Sequence, residues 1–228
     1  MAEIRFVEQS HEVLGWYGDC SYESEDDYPV NFIANVARTC YKSDVNDSKD
    51  PDLHSPYSDV RIEARCDANE RLVRRLIAND HGAMLEHSFL SVSFVTDRAI
   101  ANEIVRHRLF SFAQESSRYV NFGNKGFAFI LPKELTGLPR FVIAQICKWS
   151  AMAYEMLTST GVPPEYARCV LPLCTATKIV VSGNMREFRH ALRLRTDSHA
   201  HPQMRELMGG LLAELKESIP VLFEDIGE

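Results

Sequence analysis

The feature that most restricts the fold is a hydrophobic periodicity that switches between 3.6 and 2 without settling into a regular βαβ repeat. From Val30 to Tyr41 the apolar residues Phe32, Ile33, Val36, Ala37 and Cys40 recur at helical spacing. Leu72, Val73, Leu76 and Ile77 mark the buried stripe of a second helix, predicted over 60–79. Residues 3–8 and 12–17 read as short strands, and polar, proline-bearing 44–59 reads as a surface loop. SFLSVSFVT (88–96) alternates as a half-buried strand does, whereas AIANEIVRHRLF (99–110) returns to helical spacing at Ile100, Ile104 and Val105. FAFIL (127–131) is a strand ended by Pro132, 138–160 a long amphipathic helix, and Pro163 opens a short one. After the strand KIVVS (178–182), Asn184 with Glu187 three residues on forms a capping-box pattern for a helix to Leu194; a last helix covers 203–218. Helices outnumber strands and do not alternate with them, so the fold class is α+β. With no repeat and no linker, residues 1–228 read as one domain.

Charge narrows the partners. The formal net charge is −7, which argues against nucleic acid, since that role needs a basic face. Yet between Arg168 and Arg205 cations crowd and the only acids are Glu187 and Asp197. An acidic chain with a local arginine cluster suits a small anionic ligand. No apolar run is long enough for a membrane span, and the N-terminus lacks a basic segment leading into an apolar core, so the expected home is the cytoplasm. Six cysteines without CxxC spacing read as reduced, mostly buried small apolar residues. His199 and His201 have no third ligand nearby, and no metal site is expected. Phosphate-loop, GxGxxG, HExxH and GxSxG motifs are all absent from the sequence.

Three segments carry chemistry. In RHRLFSFAQESSR (106–118), Arg106, His107 and Arg108 close a helix whose dipole welcomes cations. Ser111, Gln114, Ser116 and Ser117 then lead to Arg118, a set of hydroxyls, amide and guanidinium that suits a phosphate and a polar heterocycle. In NMREFRHALRLRTDSHAH (184–201), Arg186, Arg189 and Arg193 share a helix face, which by itself reads as a solvated basic surface. Arg195 is followed by the polar stop Thr196, Asp197, Ser198 and His199. HGAMLEH (81–87) places His81 and Glu86 at a helix–strand junction.

Together these segments resemble the flavin-dependent thymidylate synthases. The family signature RHRxxSxxxxSxR stands complete as Arg106, His107, Arg108, Ser111, Ser116 and Arg118. ARTCY (37–41), HGAMLEH (81–87), GVPPEYARCVLPL (161–173) and 184–201 follow the family in the same order. The resemblance implies a mixed α/β domain, with a small mostly antiparallel sheet flanked by long helices, assembling as a homotetramer with active sites at subunit interfaces. It implies reductive methylation of dUMP to dTMP, with FAD as cofactor and NADPH and methylenetetrahydrofolate as co-substrates. By similarity Arg106, Gln114, Ser116, Ser117, Arg118, Arg168 and Arg195 form the dUMP site. His81, Glu86, Arg108, Leu109, Asn184, Arg186, His190 and His199 look like FAD contacts, and His81 also faces the space where nicotinamide and folate alternate. Cys40, Glu103, Ala113, Gln114 and His190 depart from the family pattern.

For catalysis the resemblance singles out Arg195, His81 and Ser116. Arg195 is the candidate for stabilising negative charge on the uracil, since guanidinium stays protonated. A nucleophilic role for Ser116 is disfavoured because no serine–histidine pair is evident, so Ser116→Ala is expected to retain activity. Two rivals carry different expectations: a non-catalytic regulator would bind dUMP or FAD without forming dTMP, and a structural homo-oligomer would bind neither.

Overall fold

A computed structural model describes residues 2–17, 29–42, 51–54 and 58–227. In chain order its elements are β1 (Ile4–Phe6), β2 (Ser10–Tyr17), α1 (Pro29–Tyr41), α2 (Ser58–Ala78), β3 (Phe89–Asp97), α3 (Arg98–Ile104), β4 (Ser111–Gln114), α4 (Phe122–Lys125), β5 (Phe127–Phe129), α5 (Gly137–Ser159), α6 (Pro164–Ala167), β6 (Ala176–Asn184), α7 (Met185–Thr196), α8 (Pro202–Ser218) and α9 (Pro220–Phe223). The class is a mixed α/β fold whose small antiparallel sheet has the order β2-β3-β6-β4. A separate pair, β1 and β5, runs parallel, with Ile4 opposite Phe127 and Phe6 opposite Phe129.

Two compact units share the chain: Met1–Val13 with Val92–Val181, and Leu14–Ser91 with Ser182–Glu228. The first is organised around aromatic rings. Phe122, Phe127 and Phe129 stack in sequence, and Tyr154 of α5 meets Phe122 and Phe127 edge-on at 5.8 and 5.5 Å. Edge-to-face pairs set the positive ring edge against the negative face, which fixes the seating of α5. Gly126 makes the turn between α4 and β5 at φ 84°, where a Cβ would stand 3.1 Å from the Glu3 carbonyl oxygen. The second unit is helical, with α1 against α2, α7 against α8 and α8 against α9. Val30, Ile33, Val73, Leu76, Leu85, Met185, Phe188 and Leu211 are buried there.

Three sequence expectations are corrected. The helix predicted over 99–110 ends at Ile104. Val105 N–H still reaches Ala101 O, but the Arg106 and His107 N–H groups bond to carbonyls three residues back, the tightening that terminates a helix. Ile104, His107 and Phe110 are all buried, so an apolar spacing of three persists through tight turns and mimics a longer helix. The strand expected to be half-buried is buried on both faces in its middle, Ser93 as well as Val92 and Phe94. Of the five described cysteines only Cys147 is buried; its Sγ lies 3.4 Å from that of half-buried Cys174, while Cys40 and Cys169 are exposed. Cys40, Cys147, Cys169 and Cys174 are in no disulfide. The loop expected over 44–59 falls mostly outside the described residues; Pro51–His54 within it is a 3-10 turn, and α2 already begins at Ser58.

Candidate active site

The second unit builds its site where α2, a 3-10 turn and α7 converge. Helix α2 ends in a Schellman arrangement: His81 N–H donates to Leu76 O at 2.8 Å and Asp80 N–H to Ile77 O at 3.1 Å. That geometry holds Asp80 at φ 56°, the left-handed region, and launches the 3-10 turn Gly82–His87 that leads into β3. Asn184 caps α7, its side-chain oxygen accepting the Glu187 N–H at 2.9 Å, as the capping pattern predicts. Met185 N–H bonds to Ser88 O at 2.9 Å and ties the start of α7 to the end of the turn.

Across this junction Arg186 donates to Glu86 Oε1 at 2.6 Å. The arginine fits only because residue 82 is glycine: a Cβ there would lie 2.7 Å from Arg186 Nε. Two cavities share Arg186, Gly82 and Asp80 in their walls. The larger, about 400 Å³, is lined also by Ala37, Cys40, Leu76, His81, Ala83 and Met84. The smaller, about 200 Å³, is lined by Ile77, Leu85, Arg189, His190 and Arg193. An apolar space beside a guanidinium-rich one suits a ligand with a flat ring and an anionic tail.

Arg189 and Arg193 do not form the solvated face their spacing suggests. Arg189 is buried; its guanidinium grips both oxygens of Asp225 at 2.8 and 2.7 Å and also donates to the Leu222 carbonyl. Arg193 joins the same carboxylate at 2.6 Å. Burial opposes ionisation of Asp225, but the Arg189 hydrogen bond and the two positive charges outweigh it and hold its pKa below the usual value. Burial pushes Glu187 the other way, upward, with the charge of His190 opposing.

In the first unit the segment after α3 alternates outward and inward: Arg106, Arg108 and Leu109 are exposed, while His107 turns in beside the Phe110 ring, 5.8 Å away. Strand β4 carries Gln114, whose Nε2 donates to Thr177 Oγ1 of β6 at 3.4 Å. The turn that follows gathers the cations. Ser116 Oγ accepts the Arg118 N–H at 3.3 Å, a bond that shapes the loop. Buried Ser117 Oγ accepts from Arg168 Nη1 at 3.1 Å, and Arg168 Nε donates to Glu165 O. Arg118 lies 3.9 Å from the Glu165 carboxylate and over the Tyr119 ring.

One member of this cluster escaped the sequence reading. Arg98 donates to Glu115 O at 3.3 Å, and its Nε is buried without a partner. Burial drives its pKa down, with Glu115 opposing and Arg168 adding to the fall, so two guanidinium groups stand within electrostatic reach of each other. The available signal was position: a cation in the first turn of a helix is opposed by the dipole and needs another reason to be there. Asp80 also went unread, since a non-glycine residue at a left-handed helix end leaves little trace in sequence.

The expected residues therefore fall into two groups. Gln114, Ser116, Ser117, Arg118 and Arg168 belong to one neighbourhood of the first unit, and Arg106 is exposed in the turn after α3. His81, Arg186 and His190 line the cavities of the second unit, with Glu86 holding Arg186. Asn184 and His199 line neither cavity; His199 sits on the turn after α7 with Nδ1 2.7 Å from Asp197 Oδ1. That contact and the His199 N–H keep the Asp197 pKa low. Arg195 is half-buried in the last turn of α7, in the second unit, whereas Arg108 and Leu109 belong to the first.

Fold and site define a class: a mixed α/β protein with a guanidinium–hydroxyl cluster and a cavity walled in part by arginine. The particular family follows from comparison. The family model described as thymidylate synthase complementing protein matches residues 24–221, and the chain belongs to that family. A flavin-dependent thymidylate synthase of Geobacter sulfurreducens is 33% identical over 202 residues, 87% of this chain and 82% of the relative. One of Mycobacterium marinum is 34% identical over 177 residues, covering 69% of each chain. One of Thermococcus onnurineus is 30% identical over 149 residues, 63% of this chain and 61% of its own. Among the described residues no helix is long and apolar enough to cross a membrane.

Proposed function

We propose that this chain catalyses the reductive methylation of dUMP to dTMP, with methylenetetrahydrofolate as carbon donor and NADPH-reduced FAD as hydride donor, in a homotetramer with active sites at subunit interfaces. One observation carries the reading: the RHRxxSxxxxSxR segment, on which the family resemblance rests, ends in the cluster of Ser116, Ser117, Arg118, Arg168 and Arg98. A phosphate dianion is what such a cluster is built to take. Guanidinium forks donate two parallel hydrogen bonds to phosphate oxygens, and the desolvated, unpartnered Nε of Arg98 is a donor in want of an acceptor. By the family resemblance, Arg106, exposed in the turn after α3, would add a further guanidinium. Gln114 offers a carbonyl acceptor and an amide donor, the complement of a uracil edge.

The second unit fits FAD. Ala37, Leu76 and Met84 give the larger cavity apolar walls suited to a flat ring, and Arg186 in the same wall would offer a cation to phosphate oxygens. We assign His81, Glu86, Asn184, Arg186, His190 and His199, with Arg108 and Leu109, to holding the cofactor. FAD supplies hydride chemistry that no side chain can perform. The Arg195 guanidinium stabilises negative charge on the uracil as its C5 is alkylated. Ser116 positions the loop, and His81, at the cavity wall, would face folate and nicotinamide.

The test is anaerobic. Protein loaded with FAD and reduced by NADPH is mixed with dUMP and methylenetetrahydrofolate while flavin absorbance is followed. Reoxidation that needs both additions supports the proposal; none, or the same rate without dUMP, contradicts it.

A further inference from the structure

Helix α5 buries one side, Cys147, Ala151 and Tyr154, and leaves the other bare. That side carries the stripe Leu138, Val142, Gln145, Trp149, Met152 and Met156, exposed except for half-buried Gln145 and spaced four and three residues alternately, the a/d pattern of a coiled coil. Leu138 is 72% exposed, Trp149 65% and Met156 64%, and Phe141 and Ile146 extend the face. A soluble chain seldom leaves so continuous an apolar strip in water.

We propose that this face docks against the same face of a second copy, the two α5 helices antiparallel across a two-fold axis beside residue 147. The pattern itself selects the partner. Read backwards from Met156, the stripe returns the same four-and-three spacing, so antiparallel copies set Leu138 against Met156, Val142 against Met152 and Gln145 against Trp149 without a slip. An antiparallel coiled coil pairs a positions with d positions in this way, and a two-fold axis demands a self-complementary patch. The one polar member fits too, because a buried indole N–H needs an acceptor and the Gln145 carbonyl oxygen supplies it. Side chains of this size and exposure present roughly 700–800 Å², close to the ~800 Å² per partner of a standard stable interface. The proposal gives one interface of the assembly proposed above its location and rests on that assembly.

Sedimentation of the full chain tests it beside two sets of variants. Trp149→Glu puts a charge in the centre of the stripe at an exposed position, and its mass should fall at least twofold from that of the wild type. Val142→Cys with Met152→Cys in one chain should yield a covalent dimer under mild oxidation, above the background of the wild-type cysteines. Within one helix those two positions are ~15 Å apart and do not bridge. Val142→Cys alone should give no dimer. A Trp149→Glu protein of unchanged mass, absent cross-linking in the double variant, or equal cross-linking by Val142→Cys alone overturns the antiparallel interface while leaving assembly through another face. A monomeric wild type overturns both. If Trp149→Glu does not fold, the cross-linking result decides.

Discussion

Substituting Gly82 probes the cofactor assignment without removing any cofactor-binding group. The backbone at residue 82 is not in the left-handed region, so alanine is allowed there on conformational grounds. Its Cβ would stand 2.7 Å from Arg186 Nε, 3.1 Å from Cδ and 3.2 Å from Cζ, and a flexible side chain yields more readily than backbone. Arg186 therefore swings away and leaves Glu86. Both partners are about half exposed, so losing their ion pair costs about 0–1 kcal/mol of stability. Restricting the unfolded chain returns about 0.4–1 kcal/mol, and the melting temperature should move by no more than about 4 °C. Affinity for FAD should respond differently. A lost charge-assisted hydrogen bond is worth about 1.5–3 kcal/mol, or roughly 10- to 150-fold in Kd. Flavin fluorescence titration of Gly82→Ala beside a thermal melt measures both. Affinity within about twofold of wild type, in protein that melts normally, would refute the placement of Arg186 at the cofactor.

Other outcomes are expected on the same grounds. Arg98→Ala should raise the dUMP KM about 10- to 100-fold by removing a charged donor, with FAD affinity unchanged; an unaltered KM removes Arg98 from the phosphate cluster. Ser116→Ala should keep measurable dTMP formation, because the Oγ accepts the Arg118 N–H and shapes a loop; complete loss in folded, dUMP-binding protein contradicts that role. Asp225→Asn should destabilise by about 1–3 kcal/mol, read as a lower melting temperature, since buried Arg189 loses its counter-charge while the carboxylate itself is partly solvent-screened. The depressed Asp225 pKa also sets a sign. Its stabilising contribution is complete above the ordinary value of 3.8 and fades as the pH falls through the lower folded-state value, so wild type and Asp225→Asn should converge in acid.

Local signals carried most of the fold. Asn184 and Glu187 are three residues apart and their bond is made within the same turn, so the cap was legible from spacing alone. The long helix α5 and the short β5 announced themselves by period and by proline. What escaped depends on distance along the chain or on burial that polarity hides. Arg189 meets Asp225 across 36 residues, and nothing in the helical spacing of three arginines distinguishes the buried one from Arg186, which meets Glu86 instead. Serine at position 93 reads as a solvent-facing residue, yet it is buried, which requires tertiary cover that a polar residue type does not announce. The early end of α3 was masked by His107 and Phe110, which continue the apolar spacing after the helix has stopped. At the site, residue types were legible as phosphate and ring chemistry, but the cavity walls from α1 and α2, and Arg98 at a helix start, required the tertiary structure.

The central claim meets its most direct test in product formation. Purified chain is incubated with dUMP, methylenetetrahydrofolate and NADPH, with and without FAD, and nucleotides are separated by chromatography. The account predicts dTMP that accumulates over many turnovers and depends on FAD. Folded, flavin-loaded protein that yields no dTMP would contradict it, leaving an arginine cluster and a cavity that bind without turnover.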